Sequence, residues 1–165
     1  VERLRLLTAV GDFRQTGHKD VILARNMPRD PQLYYFNHTG HLEFTHRIER
    51  DVAFGGQRCT AVRFSRLFAD IVGAEPGVVW VAGHELAGNF PAVLQALDSS
   101  GRVRSEYWSA GFIGSMALVT MNGRRLILVG SAANENGGAA LAVFDGAANG
   151  SSPGAGPGLS VLGLP

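Results

Sequence analysis

The chain has 165 residues, 45% of them hydrophobic and 18% charged, the balance of one ordinary globular domain with a sizeable core. A formal net charge of +1, with Arg scattered rather than clustered, argues against a nucleic-acid surface or an anionic membrane as the main partner. The single cysteine, Cys59, excludes an internal disulfide, and no apolar run reaches the roughly eighteen residues of a membrane helix.

Cys59 has no His or Asp close in sequence and reads as a buried structural thiol. No signal peptide is visible and the first residue is Val, so the chain is read as a mature form or an excised piece. Helical periodicity is nearly absent. In chain order, RLRLLTAVGDF and KDVILAR read as strands, followed by QLYYFN and LEFTHRI across the turn HTG, where Gly40 is available for positive φ. After Gly55 and Gly56 the pattern restarts with CTAVRFSRL and the buried run GVVWVAG. AVLQALD and VRSEYWS form a hairpin across SSG. GSMALVTM, RRLILVG and AALAVFD begin a third round. One stretch is ambiguous: in SRLFADIVG, the spacing of Leu67, Phe68, Ile71 and Val72 suits either a short helix or an irregular insertion.

The restarts are an internal repeat. Aligning LYYFNHTGHLEF, LQALDSSGRVRS and LAVFDGAANGSS brings Asn37, Asp98 and Asp145 into register, at separations of roughly 60 and 47 residues. These are close to the length of a four-stranded propeller blade. An Asx side chain at the strand end can cap the turn that follows. The fold expected is all-β, with about three four-stranded antiparallel blades of a β-propeller. The units run over residues 1–50, 51–110 and 111–146, the last lacking a convincing fourth strand. Residues 147–158 read as a Gly/Ser/Pro-rich loop, and 159–165 as the start of a further strand. Three blades cannot close a ring, so more chain or an association of copies through the open edges is expected to complete it.

The stretch AVGDFRQTGHKDVILA resembles the FG-GAP/VCBS class of propeller repeats. Gly11, Asp12 and Phe13 match the start of that repeat, Gly17 its loop glycine, and Asp20 the acid before the hydrophobic strand. The second unit keeps only the framing strands, and the third shortens the loop to Asn-Gly. The resemblance implies a propeller and a calcium loop. Calcium needs six or more oxygen ligands with several carboxylates at alternating positions. With Asp12 as the first position, Arg14 stands third and Thr16 fifth, so Asp12, Thr16 and Asp20 form a degenerate set. The expectation is that Asp12 and Asp20 cap the turn and that Arg14 pairs with one of them. No metal or other cofactor is expected. The trailing segments also resemble propeller-like regions of bacterial multidomain proteins, which favours a fragment of a larger protein.

His38, His41 and His46 read as exposed turn histidines, since His41 and His46 point to opposite sides of a strand. Tyr34, Tyr35, Tyr107, Trp80 and Trp108 read as packing between neighbouring units. The connections between second and third strands gather, in a propeller, on one face. Asn26, Arg29, Asp30, His84, Glu85, Asn89, Asn134, Glu135 and Asn136 would form its polar rim. No serine elbow, phosphate loop or two-carboxylate spacing is present. The function expected is therefore non-catalytic binding or sensing of a protein or small molecule. The alternatives are a hydrolase- or lyase-like propeller enzyme with His84 as base, and a calcium-stabilised adhesion repeat.

Overall fold

The computed structural model describes residues 5–27, 30–49, 52–54, 57–59, 62–68, 77–85, 91–109, 111–133, 138–145, 150–151 and 161–163. These residues contain strands and no helix. The first sheet is an antiparallel meander of β1 (Arg5–Gly11), β2 (Asp20–Met27), β3 (Asp30–Phe36) and β4 (Leu42–His46). A small hairpin of β5 (Val52–Phe54) and β6 (Gln57–Cys59) follows. The second sheet is built from β7 (Val62–Leu67), β8 (Val79–Glu85), β9 (Ala92–Leu97) and β10 (Val103–Ser109). The third begins with β11 (Ile113–Met121), β12 (Arg124–Ala133) and β13 (Gly138–Asp145). The protein is thus all-β, with three blade-like antiparallel sheets in chain order.

Two short strands near the C-terminus extend this pattern. β14 (Gly150–Ser151), from the Gly/Ser/Pro-rich segment, pairs in parallel with Tyr107 and Trp108 at the edge of sheet 2. β15 (Val161–Gly163) pairs antiparallel with β13 and supplies sheet 3 with its fourth strand. The apolar run VLG therefore completes a sheet already begun instead of opening another. The expected strand CTAVRFSRL is divided: Gln57–Cys59 pairs with β5, and Val62 onward pairs with β8. Of the ambiguous SRLFADIVG, Ser65–Leu67 ends β7 and Phe68 is buried, while the rest lies outside the described residues. The side chain of Cys59 also lies outside them.

Strand periodicity places the core. In sheet 2, Val79, Val81, Val93, Leu97 and Trp108 face sheet 1, where they meet Ile22, Leu33, Tyr35 and Phe44. The alternate residues Trp80, Ala82, Leu94, Ala96 and Tyr107 face sheet 3 and meet Ile113, Ile127, Val129 and Phe144. Both faces of β8 and β9 are buried, which is why their sequences read as continuous apolar runs. Four of the five tyrosines and tryptophans expected between units lie there; Tyr34 points outward from sheet 1.

The repeat extends to individual hydrogen bonds. In the β3–β4 turn, the Asn37 side-chain oxygen accepts from the Thr39 N–H, the Thr39 hydroxyl and the His41 N–H, at 3.0, 2.7 and 3.0 Å. In the β9–β10 turn, the Asp98 oxygen accepts from Ser100 N–H, Ser100 hydroxyl and Arg102 N–H, at 2.9, 2.6 and 3.1 Å. The Ser100 hydroxyl, helped by these backbone donors, holds the Asp98 carboxyl below its ordinary range, against the opposing effect of burial. Asp145 ends β13, and the residues that follow it directly lie outside the described set.

Gly40 and Gly101 occupy the same place in these turns, at φ +81° and +79°. A Cβ at Gly40 would meet nothing within 4 Å, whereas one at Gly101 would come within 2.6 Å of the Phe44 ring in sheet 1. Gly40→Ala is expected to cost about 1 kcal/mol from the backbone alone, and Gly101→Ala about 2–4 kcal/mol because it also overpacks the junction. Urea denaturation of the two variants measures the difference; equal losses would mean that the Phe44 contact carries no energy.

Candidate functional site

The loop between β1 and β2 is closed by two carboxylates with separate tasks. Asp12 caps the loop: its oxygens accept the N–H groups of Thr16 and Gly17 at 2.8 and 2.7 Å. Gln15, at φ 53°, and Gly17, at φ +81°, turn the chain back toward β2. Asp20, the first residue of β2, is fully buried. Arg14 grips it with both arms of its fork, Nε to Oδ2 at 2.9 Å and Nη2 to Oδ1 at 3.0 Å. The hydroxyl of Tyr35, on the neighbouring strand β3, donates to Oδ2 at 2.7 Å. Arg14 therefore pairs with Asp20, and Asp12 bonds to the loop backbone.

The charge balance of this pair follows from burial and partners. Burial alone would raise the Asp20 carboxyl, but Arg14 and the Tyr35 hydroxyl outweigh it and hold the group below its usual range. The Tyr35 hydroxyl is pushed upward, by burial first and by Asp20 second. Glu43 of β4 extends the network outward, accepting from Arg14 at 3.5 Å and from the Asn37 amide at 2.7 Å. A calcium loop needs carboxylate oxygens turned toward one point. Here the Asp12 oxygens bind backbone, and those of Asp20 bind a guanidinium and a phenol. The donor set does not fit a cation, and Arg14 supplies the positive charge instead.

A second polar chain crosses from sheet 1 to sheet 2. His46 Nε2 lies 2.8 Å from the Gln95 side-chain oxygen. The Gln95 amide donates to one Glu106 oxygen at 2.7 Å, and the Trp108 indole N–H donates to the other at 2.8 Å. Because Glu106 accepts from the Gln95 nitrogen, the Gln95 oxygen faces His46. His46 Nε2 must then carry the proton. The sequence reading of His46 as an exposed turn residue is corrected: it is partly buried in the sheet junction, facing Gln95. The available signal was Gln95 itself, a polar residue within the otherwise apolar AVLQAL, which a buried strand tolerates only with partners. His38 stacks on His18, with ring centroids 4.4 Å apart, and both are exposed, as is His41.

The residues expected at the rim have varied places. Asn26, near the end of β2, donates to the Phe64 carbonyl at 2.7 Å and accepts from its N–H at 3.0 Å. Its amide thus imitates a ladder pair and clasps sheet 1 to sheet 2. Asp30 bridges Arg25 at 2.6 Å and Arg47 at 2.5 Å, and Arg25 lies over the Tyr34 ring. His84 and Glu85 belong to β8 rather than to the loop after it. The His84 ring is buried edge-on against Phe112, and its Nδ1 donates to the Glu85 carbonyl at 3.0 Å. The Glu85 N–H donates to the Pro91 carbonyl at 3.0 Å. Arg29, Asn89, Asn134, Glu135 and Asn136 lie outside the described residues.

Comparison of the chain with family models, with curated proteins and with solved structures finds no match in any of the three.

Removing Arg14 strands a buried carboxylate. Arg14→Ala is expected to cost about 2–4 kcal/mol, and Arg14→Lys to recover only part of it, because an ammonium cannot form the fork. Chemical denaturation tests both; a loss under about 0.5 kcal/mol would place the pair among ordinary surface ion pairs. Millimolar calcium is expected to leave the wild-type melting temperature unchanged, and a rise would contradict the account of the donor set.

Two pH effects follow, each with its own sign. Burial lowers His46, and Gln95 and Glu106 only partly offset it. The unfolded chain then takes up a proton first, so stability falls as pH drops through about 6.5 and levels off below the folded value. The depressed Asp20 contributes stability above about 3.9 that is lost at still lower pH, as the folded carboxyl protonates. Melting curves from pH 7.5 to 5 should show the first decline, and His46→Gln should flatten it.

Proposed function

We propose that the chain is a non-catalytic binding module. In this reading it is a β-propeller array of FG-GAP/VCBS-like repeats that offers its second-to-third-strand connections to a protein or small-molecule ligand. The carrying observation is that these connections leave from one end of the stack. Asn26, at the end of β2, is bonded to Phe64, which pairs with Gly83 of β8. His84, near the end of β8, packs on Phe112, whose carbonyl accepts the N–H of Ala132 near the end of β12. Loops from successive repeats that converge on a rigid frame are where ligands bind.

The chemistry of the described residues supports binding over catalysis. Asp20, Arg14, His46 and Glu106 are engaged in holding loops and junctions. The enzyme reading requires His84 as a base, but its ring is enclosed by Phe112 and one nitrogen is committed to a backbone carbonyl. The adhesion reading requires a cation where the Arg14 guanidinium sits. The like-built turns at Asn37 and Asp98 support the repeat reading.

Immobilised protein screened against peptide, glycan and metabolite arrays tests the proposal. Replacing Arg29 and Asn89 by Ala should weaken any hit at least tenfold, about 1.4 kcal/mol. Replacing His38 and His41, at the opposite loop end, should leave it unchanged. A silent screen, or a hit indifferent to Arg29 and Asn89, would count against this rim.

A further inference from the structure

Arg63, on β7, is a half-buried cation without a counter-charge. Its neighbours Val62 and Phe64 face sheet 1, so strand alternation turns Arg63 to the opposite side, toward sheet 3. Its Nε is enclosed and meets no hydrogen-bond partner. No carboxylate among the described residues pairs with it. The acid beside it on the ladder, Glu85, is opposite Val62 and so stands on the sheet 1 side of β8.

Arg14 shows what this fork takes when it is satisfied: Nε and Nη2 grip the two oxygens of Asp20 at 2.9 and 3.0 Å. Arg25 and Arg47 likewise share Asp30. Arg63 offers the same fork without a carboxylate. A guanidinium is a permanent cation, and enclosing a donor without a partner costs stability. A fold that keeps such a group keeps it for a task other than its own packing.

The surroundings say which task. Cross-strand pairing sets Arg63 beside His84, His84 beside Ala92, and Ala92 beside Ser109, in one row across sheet 2. It is the outermost described row on the face toward sheet 3, at the end where β8 leads into its connection to β9. Phe112 packs on His84 from the sheet 3 side. We propose that Arg63 anchors the carboxylate of a small organic acid at the mouth of the junction between sheets 2 and 3. One guanidinium matches one negative charge, and its planar fork matches two coplanar oxygens. A phosphate carries up to two charges and is ordinarily met by several cations or by a run of backbone N–H groups, whereas this row supplies one arginine. Phe112 gives apolar surface to the body of the acid. The inference rests on reading this end of the stack as the ligand-binding end, and names the class of ligand it takes.

Thermal melting of the 165-residue chain in sodium benzoate, sodium acetate or inorganic phosphate, each against sodium chloride of equal ionic strength, provides the test. Both carboxylates should raise the melting temperature, benzoate at the lower concentration. Arg63→Gln removes an unpaired charge, so it should melt no lower than wild type without additive, and it should lose the rise. Arg63→Lys keeps the charge without the fork and should need at least tenfold more benzoate. The absence of a rise with either carboxylate, or a rise that persists in Arg63→Gln, would overturn the proposal. So would a lowered melting temperature of Arg63→Gln without additive, which would assign the arginine to holding the fold. A rise with phosphate alone would overturn the organic acid as the ligand class. An array hit that depends on Arg29 and Asn89 but ignores Arg63 would overturn this inference and leave the rim standing. A silent array beside a benzoate rise that needs Arg63 would keep the anchor and count against the wider rim.

Discussion

The centre of sheet 2 has no face for water, and the rest of the architecture depends on that constraint. Its two central strands are buried residue by residue, the odd side chains toward one neighbour and the even toward the other. A sheet of this kind is stable only between two others. The meander before it and the meander after it are therefore held face to face. Tight approach at Gly83, where a Cβ would meet Val62, the Arg63 carbonyl and Ile48, shows how little space remains at the junction.

Polar groups secure what apolar burial brings together. Burial is non-directional, so it sets that the sheets stack but not their register. The register is fixed by directed bonds: the Asn26 amide on the Phe64 backbone, the His46–Gln95–Glu106–Trp108 chain, and the Gly77 N–H on the Phe13 carbonyl. Each satisfies a group that burial would otherwise leave without a partner. The same logic governs the first loop. A buried carboxylate needs compensation, and a guanidinium with a phenol provides it in place of a metal.

This division of labour separates the two ends of the stack. At the end of the first loop, the ionisable side chains Asp12, Arg14 and Asp20 are bound to one another or to the backbone. At the other end, Asn26 and His84 are drawn into junctions, while Asp30 and its two arginines remain at the surface. Residues that looked like one rim in a linear reading thus serve two purposes, some binding sheet to sheet and some facing outward.

The strands, their alternation and the repeated Asx turns were legible in the sequence, because period-two burial and turn chemistry are local. So was the departure of the first loop from a calcium pattern, since Arg14 stands at a ligand position and residue identity needs no coordinates. Which carboxylate Arg14 takes was decided by the fold, which brings Tyr35 and the guanidinium onto the same buried Asp20. The roles of Asn26, His46 and Gln95 were likewise hidden, because their partners lie 38 to 49 residues away. The apolar run near the C-terminus became the edge of sheet 3 by pairing with β13, a contact across the chain that no local pattern encodes. Sequence alone determined which residues prefer strand, turn or core. Tertiary structure decided which buried polar groups meet, because desolvation makes each seek whatever donor or acceptor the packed sheets place within reach.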